Sequence, residues 1–134
     1  MNLIELLNAD LTLEYANGIQ YMQHAACLDG TFTTFRGELL DHAKDELKHA
    51  RKLNDLITFL GGIPSVNVGQ IFTASDNDAM LNQDLTGENT AILRYTERIS
   101  QAWGQQDFAT AAVLMSIIKD EQGHANDLET ILNA

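Results

Sequence analysis

One proline, Pro64, stands in 134 residues. Proline is the strongest local obstacle to a helix, because its ring removes a hydrogen-bond donor and collides with the preceding turn. With that obstacle confined to one place, long tracts on either side are free to be helical. The other interruptions are few: Asp29-Gly30, Gly61-Gly62 just ahead of Pro64, and a polar stretch ending at Asp107. They divide the chain into four tracts, about Leu3 to Leu28, Thr34 to Leu60, Ser75 to Trp103 and Asp107 to Ala134. Ser75 and Asp107 read as N-caps, and Asp76 and Asp78 place negative charge in a first helical turn.

Each tract carries an apolar stripe at three- and four-residue spacing, the pattern of a core-facing helix. The stripes are Leu7, Leu11, Glu14, Gly18, Tyr21, Ala25, Leu28; Leu39, His42, Glu46, His49, Leu53, Leu56, Leu60; Leu81, Leu85, Glu88, Ile92, Tyr95, Ile99; and Leu114, Ile117, Glu121, His124, Leu128, Ile131. The first and third connections are short and favour antiparallel neighbours. The segment Gly61 to Ala74 is long enough to run the length of a bundle. The expected architecture is all-α: a single four-helix bundle over residues 1–134, with one long crossover between helices two and three. A strand in "VNVGQIF" would have nothing to pair with.

Every stripe is interrupted near its middle by a glutamate, and the second and fourth add a histidine one turn later. "DELKHA" (Asp45 to Ala50) and "DEQGHA" (Asp120 to Ala125) share one skeleton. A lone glutamate on such a stripe usually reaches out to water, and a lone histidine is usually a hydrogen-bonded core residue. Four glutamates and two histidines at matching depth are another matter. Unpaired buried carboxylates cost several kcal/mol each, on the order of the desolvation of an ion, and no lysine or arginine stands on these stripes near them. Two divalent cations would balance four carboxylates, with the histidines as neutral ligands. Residues i and i+3 share a helix face about 4.5 Å apart along the axis, so Glu-x-x-His can serve one metal region. One Glu from each of two helices, plus Glu-x-x-His from each of the other two, is a described pattern for di-iron and di-manganese carboxylate bundles. The expected ligands are therefore Glu14, Glu46, His49, Glu88, Glu121 and His124. Glu46 and Glu121 would bridge the metals; Glu14 and His49 would complete one, Glu88 and His124 the other. Mixed carboxylate and imidazole donors suit iron or manganese, with zinc as a substitute.

Composition narrows the partners. With 8 basic and 19 acidic residues the net charge is −11, a field that repels nucleic acid and anionic membranes and attracts cations. The single cysteine, Cys27, excludes an intrachain disulfide or thiolate metal site. The first residues read as an amphipathic helix rather than a signal peptide, and the expected location is the cytoplasm.

With these residues in view, the chain resembles a bacterioferritin. "LNADLTLEYANGIQYMQHA" is similar to that family's first helix, "DELKHA" to its second-helix motif, "FLGGIPSVNVGQI" to the start of its crossover and "DEQGH" to its fourth-helix motif. The resemblance implies a ferroxidase that oxidises two Fe(II) per chain with dioxygen or peroxide, for storage or detoxification. It implies the same six ligands, a catalytic part for Glu46 and Glu121, and an electron-supplying part for Tyr21. Two departures qualify it. Where the family places a haem-ligating methionine the chain has Leu47, so haem is not expected. The sequence ends at Ala134 where the family continues into a fifth helix, so a homodimer is expected ahead of a larger shell. The alternative function is a di-iron or di-manganese oxidase or peroxidase acting on another substrate; a third is a non-enzymatic metal buffer.

Five further residues stand out. Asp45 and Asp120 could each accept a hydrogen bond from the outer nitrogen of a ligand histidine on a neighbouring helix. His24 and His42 read first as core or surface histidines, and second as accessory iron ligands. Tyr95 reads as a core aromatic.

Overall fold

The computed structural model describes residues 2–133 and contains four long helices: α1 (Leu3–Cys27), α2 (Arg36–Phe59), α3 (Asn77–Gly104) and α4 (Phe108–Leu132). The chain forms the expected four-helix bundle. α1 packs along α2 and α3 along α4, while α1 also faces α3 and α2 faces α4. Partners across these faces run antiparallel, as the pairs Asp10–Arg98 and His24–Asp84 show for α1 and α3.

Local chemistry sets the ends. The Asn2 side chain caps α1 by accepting from Glu5 N at 2.9 Å. Asp107 caps α4 as expected, accepting from Thr110 N at 3.1 Å. The α3 cap is Asp76 rather than Ser75: its Oδ1 takes Ala79 N at 2.8 Å. An ionised carboxylate serves a helix N-terminus better than a hydroxyl one residue earlier. The second helix starts at Arg36, later than Thr34, because Gly30–Phe35 winds into a tighter 3-10 turn. α2 ends with Gly61 at φ +90°, which lets Gly62 N reach Ile57 O at 2.9 Å and Gly61 N reach Thr58 O at 3.0 Å, a Schellman arrangement. α3 ends the same way, with Gln106 at φ 58° in the position usually left to glycine.

The crossover contains no strand among the described residues. It runs beside α1 from one end to the other, pinned by Ser65 N to Asn8 Oδ1 (2.7 Å), Gly69 N to Thr12 O (2.9 Å) and Phe72 N to Gln20 Oε1 (2.9 Å). A Cβ at Gly69 would lie 3.1 Å from Thr12 O, so glycine lets the two backbones meet.

The core falls into two clusters. One contains Leu7, Leu11, Leu53, Ile57, Leu114 and Ile117; the other contains Leu28, Leu39, Met80, Leu81, Leu128 and Ile131. Between them each helix turns mainly polar side chains inward, with small residues such as Ala16 and Ala125 beside them. The bundle is two apolar plugs closing either end of a buried polar layer. One correction falls on α3: the fully buried position is Ala91, while Ile92 and Ile99 are only partly buried. No helix among the described residues is long and apolar enough to cross a membrane.

Candidate metal centre

The polar layer is built by the mid-stripe residues. Glu14, Glu46, His49, Glu88, Glu121 and His124 are all buried, and helical geometry aims all six at the bundle axis. They form two overlapping groups. Glu14, Glu46, His49 and Glu121 offer ligand atoms within 4.8 Å of one another, and so do Glu46, Glu88, Glu121 and His124. Glu46 and Glu121 belong to both. His49 Nδ1 stands 3.2 Å from Glu121, 3.4 Å from Glu14 and 3.5 Å from Glu46. His124 Nδ1 stands 3.3 Å from Glu46, 3.4 Å from Glu88 and 3.4 Å from Glu121.

These approaches are close but are not hydrogen bonds. Glu14 Oε2, both oxygens of Glu46 and of Glu121, Glu88 Oε2, and the Nδ1 atoms of His49 and His124 are buried with no hydrogen-bond partner. Eight unsatisfied donor atoms from six side chains converge on one spot. Orphaned buried polar atoms are rare and costly, and here they are of the types, and in the numbers, that two divalent cations need. The donor set fits a dinuclear metal site.

The electrostatics describe the same strain. Burial, and then the Glu121 charge, lifts Glu14 to about 7 and Glu88 to about 8. Burial, then the charges of Glu14, Glu88 and Glu121, holds Glu46 well above the usual carboxylate range. For His49 burial acts downward, but Glu121, Glu14 and Glu46 outweigh it and the net shift is far upward. His124 behaves likewise among Glu121, Glu46 and Glu88. Burial would raise Glu121 too, yet the two imidazoles bring it down to about 2. Without a cation, protons occupy the site.

The outer nitrogens of both histidines are held. His49 Nε2 lies 2.9 Å from Asp120 Oδ2, and His124 Nε2 lies 2.9 Å from Asp45 Oδ2. Each aspartate precedes the motif glutamate of the opposite helix. Nε2 donating to Asp turns the Nδ1 lone pair inward, the tautomer a metal requires. Tyr21, buried, donates to Glu88 Oε1 at 3.0 Å. Tyr95 does more than fill core: its hydroxyl donates to Glu14 Oε1 at 2.6 Å. Burial first, and the adjoining glutamate second, keeps both phenols well above their usual range and so protonated.

The same scheme extends beyond the expected residues. Asp10 accepts from Arg98 Nε at 3.0 Å and Nη2 at 3.3 Å, fully inside the bundle. Burial pushes Asp10 up to about 6 against the pull of Arg98. Asp84 receives His24 Nδ1 at 2.8 Å and Gln20 Nε2 at 2.9 Å. His24 Nε2 meets Phe72 O at 3.0 Å, so both its nitrogens are engaged and it ties α1, α3 and the crossover together. Asp10, Glu14, Tyr21 and His24 on α1 are matched 74 positions later by Asp84, Glu88, Tyr95 and Arg98 on α3. Each residue bonds to the counterpart of its partner, which makes a reciprocal ladder. Asp10, Asp84 and Arg98 escape a reading by hydropathy, although the fixed 74-residue offset is a signal that finds them. Gly87 serves this interface, since a Cβ there would lie 2.9 Å from Asn17 Oδ1; at Gly123 there is open space. Leu47 points away from the centre and is 57 % exposed.

A ferritin-like bundle with a central carboxylate–histidine cluster is the class that this fold and site define. The ferritin-like domain model matches residues 4–134, and the chain belongs to that family. It is 34 % identical to a bacterioferritin of Streptomyces coelicolor over 97 % of this chain and 79 % of that one. It is 32 % identical to a bacterioferritin of Mycolicibacterium paratuberculosis over 96 % of this chain and 82 % of that one. Among solved structures, a ferritin-like di-iron carboxylate protein from Bacillus anthracis superposes with a TM-score of 0.93 at 32 % identity, covering 97 % of this chain and 94 % of that one.

Proposed function

We propose that this protein is a cytoplasmic, bacterioferritin-like ferroxidase that binds two iron ions per chain and serves iron storage or detoxification. The observation that carries the reading is the convergence of eight unsatisfied carboxylate and imidazole atoms on the bundle axis. The bacterioferritin and di-iron relatives support iron as the metal, with manganese or zinc able to substitute. Glu46 and Glu121, which belong to both groups, would be shared by the two ions, Glu14 and His49 would complete one position, and Glu88 and His124 the other.

Bound there, two Fe(II) each give up one electron, and the pair reduces dioxygen to hydrogen peroxide, or hydrogen peroxide to two waters, with uptake of two protons. The chain supplies the rest. Its four carboxylates neutralise two divalent cations, and the Asp45 and Asp120 bonds hold the imidazoles in the ligating tautomer. The two apolar plugs keep bulk water from the layer. Tyr21 holds a proton against Glu88 and is placed to supply an electron. Exposed apolar side chains on α1 and α2, Ile19, Met22, Leu40 and Leu47, suit burial against a second copy, and we assign a homodimer as the minimal assembly.

The test is anaerobic binding followed by admission of oxygen. Two Fe(II) per chain should bind, and ferric absorbance should rise rapidly afterwards. Glu46→Ala and Glu121→Ala should abolish that rise; unchanged oxidation in either variant refutes the assignment. Sizing the iron-loaded protein separates the storage reading, a shell holding hundreds of irons, from a dimer that stops after one turnover and acts as an oxidase or peroxidase on another substrate.

A further inference from the structure

Around the centre α2 and α4 match closely, and at one end of their shared face the match breaks. Residues of α2 have counterparts 75 positions later on α4: Asp45 and Asp120, Glu46 and Glu121, His49 and His124, Leu39 and Leu114, Leu53 and Leu128. Glu38, His42 and Asp127 do not follow the rule. Their counterparts are Val113, Ile117 and Lys52. At one end of the α2–α4 face the chain therefore places two carboxylates and an imidazole. At the other it places two aliphatic side chains and an ammonium group, whose Nζ donates to Ser116 Oγ at 3.2 Å.

Glu38, His42 and Asp127 bring one ligand atom each to within 4.8 Å of one another. His42 is only 3 % exposed. Its Nε2 reaches outward to Asp127 Oδ2 at a long 3.3 Å, and its Nδ1 has no hydrogen-bond partner. A nearly buried imidazole left half satisfied, with two carboxylates at its outer edge, is poorly explained as core packing. The carboxylates stand at the solvent side, Asp127 being 45 % exposed in its side chain. Among the described residues neither has a lysine or arginine ion-pair partner. Burial, then the charges of Asp127 and Asp41, push Glu38 upward, so negative potential gathers there. On its inner side the His42 ring stacks on His124 at 4.1 Å and 25°, directly behind the dinuclear centre.

We propose that Glu38, His42 and Asp127 form a third, mononuclear site for a first-row divalent cation at the solvent-facing end of the α2–α4 seam. Two carboxylate oxygens and one imidazole nitrogen make a half-complete coordination shell, leaving the remaining positions to water. Such a site holds its cation more weakly than the closed centre beside it and hands it on or releases it. Its existence does not depend on whether the dinuclear centre oxidises iron.

The test uses the metal-stripped full chain and Co(II) under nitrogen, followed by calorimetry and by the visible ligand-field bands. The wild type should take three equivalents per chain, two tight and one weaker. The paired surface substitutions Glu38→Gln and Asp127→Asn should remove the weaker equivalent and leave two, with helical circular dichroism unchanged. His42→Ile, which borrows the residue found at the matching position, should do the same. Saturation of the wild type at two equivalents, or survival of the third in both variants, overturns the proposal. Glu46→Ala with Glu121→Ala separates the readings: one equivalent left supports both, and three left refutes the dinuclear assignment alone.

Discussion

Removing metal should make the stability of this protein fall as pH rises through the range where most proteins are indifferent to it. In the metal-free chain Glu14 is lifted from 4.5 to about 7, and Glu88 from 4.5 to about 8, by burial and then by the Glu121 charge. In the unfolded chain both ionise near 4.5. Between about pH 5 and pH 7 the native state thus retains about two protons that the unfolded state has released, and stability must fall with pH. One proton corresponds to about 1.4 kcal/mol per pH unit, so the pair removes at most about 5 kcal/mol across the window. His49 and His124, whose folded values lie above the usual one, act in the same direction above pH 6.5. For a domain of this size 1 kcal/mol is worth roughly 3 to 5 °C, so the melting temperature should drop by several degrees or more. Calorimetric melts of EDTA-stripped protein at half-unit intervals would measure the slope. With Zn(II) bound, cations replace the protons and the drop should vanish, so that stabilisation by metal grows with pH. A metal-free melting temperature that stays level or climbs between pH 5 and pH 7 would refute the reasoning.

Asp45→Asn and Asp120→Asn, at positions open to solvent, should weaken metal binding about 10- to 100-fold while leaving the metal-free melt nearly unchanged; competition with a chelating dye would read this. Arg98→Met alone should cost about 3–5 kcal/mol, because it strands Asp10 in the interior. Adding Asp10→Leu should recover most of that loss in urea unfolding. Gln106→Gly should raise stability by up to about 1 kcal/mol, since φ 58° is strained for a side chain and free for glycine.

The four helices were legible because each repeats apolar residues over about five or more turns with little proline or glycine to blur the period. The six central residues were legible because charge on such a stripe is conspicuous and occurs four times. What escaped were choices that depend on a distant partner. Hydropathy placed Ile99 on the inner face of α3, but Arg98 occupies it, because Asp10 waits 88 residues away in sequence. Tyr95 looked like filler because its reason for burial, a hydroxyl bond to Glu14, lies on another helix. Ser75 lost the cap to Asp76 over a single residue, a competition between two good capping side chains that propensity ranks almost equally.

The reciprocal ladder also explains why a layer so costly can sit in the middle of the bundle. Asp10–Arg98, Glu14–Tyr95, Tyr21–Glu88 and His24–Asp84 cross between α1 and α3, and His49–Asp120 and Asp45–His124 cross between α2 and α4. An axial slip of either pair by one residue breaks every rung on that face at once and leaves buried charge without partners, which the apolar plugs alone would tolerate far better. Polar groups therefore set the register, and the plugs supply the net stability. The same symmetry makes the two halves of the centre chemically alike, each with one glutamate that the other half does not share, one histidine and one phenol. The difference between them has to come from outside the layer. It does so at one end, where His42 and its carboxylates stand behind His124, while the counterpart of His42 in the other half is the fully buried Ile117.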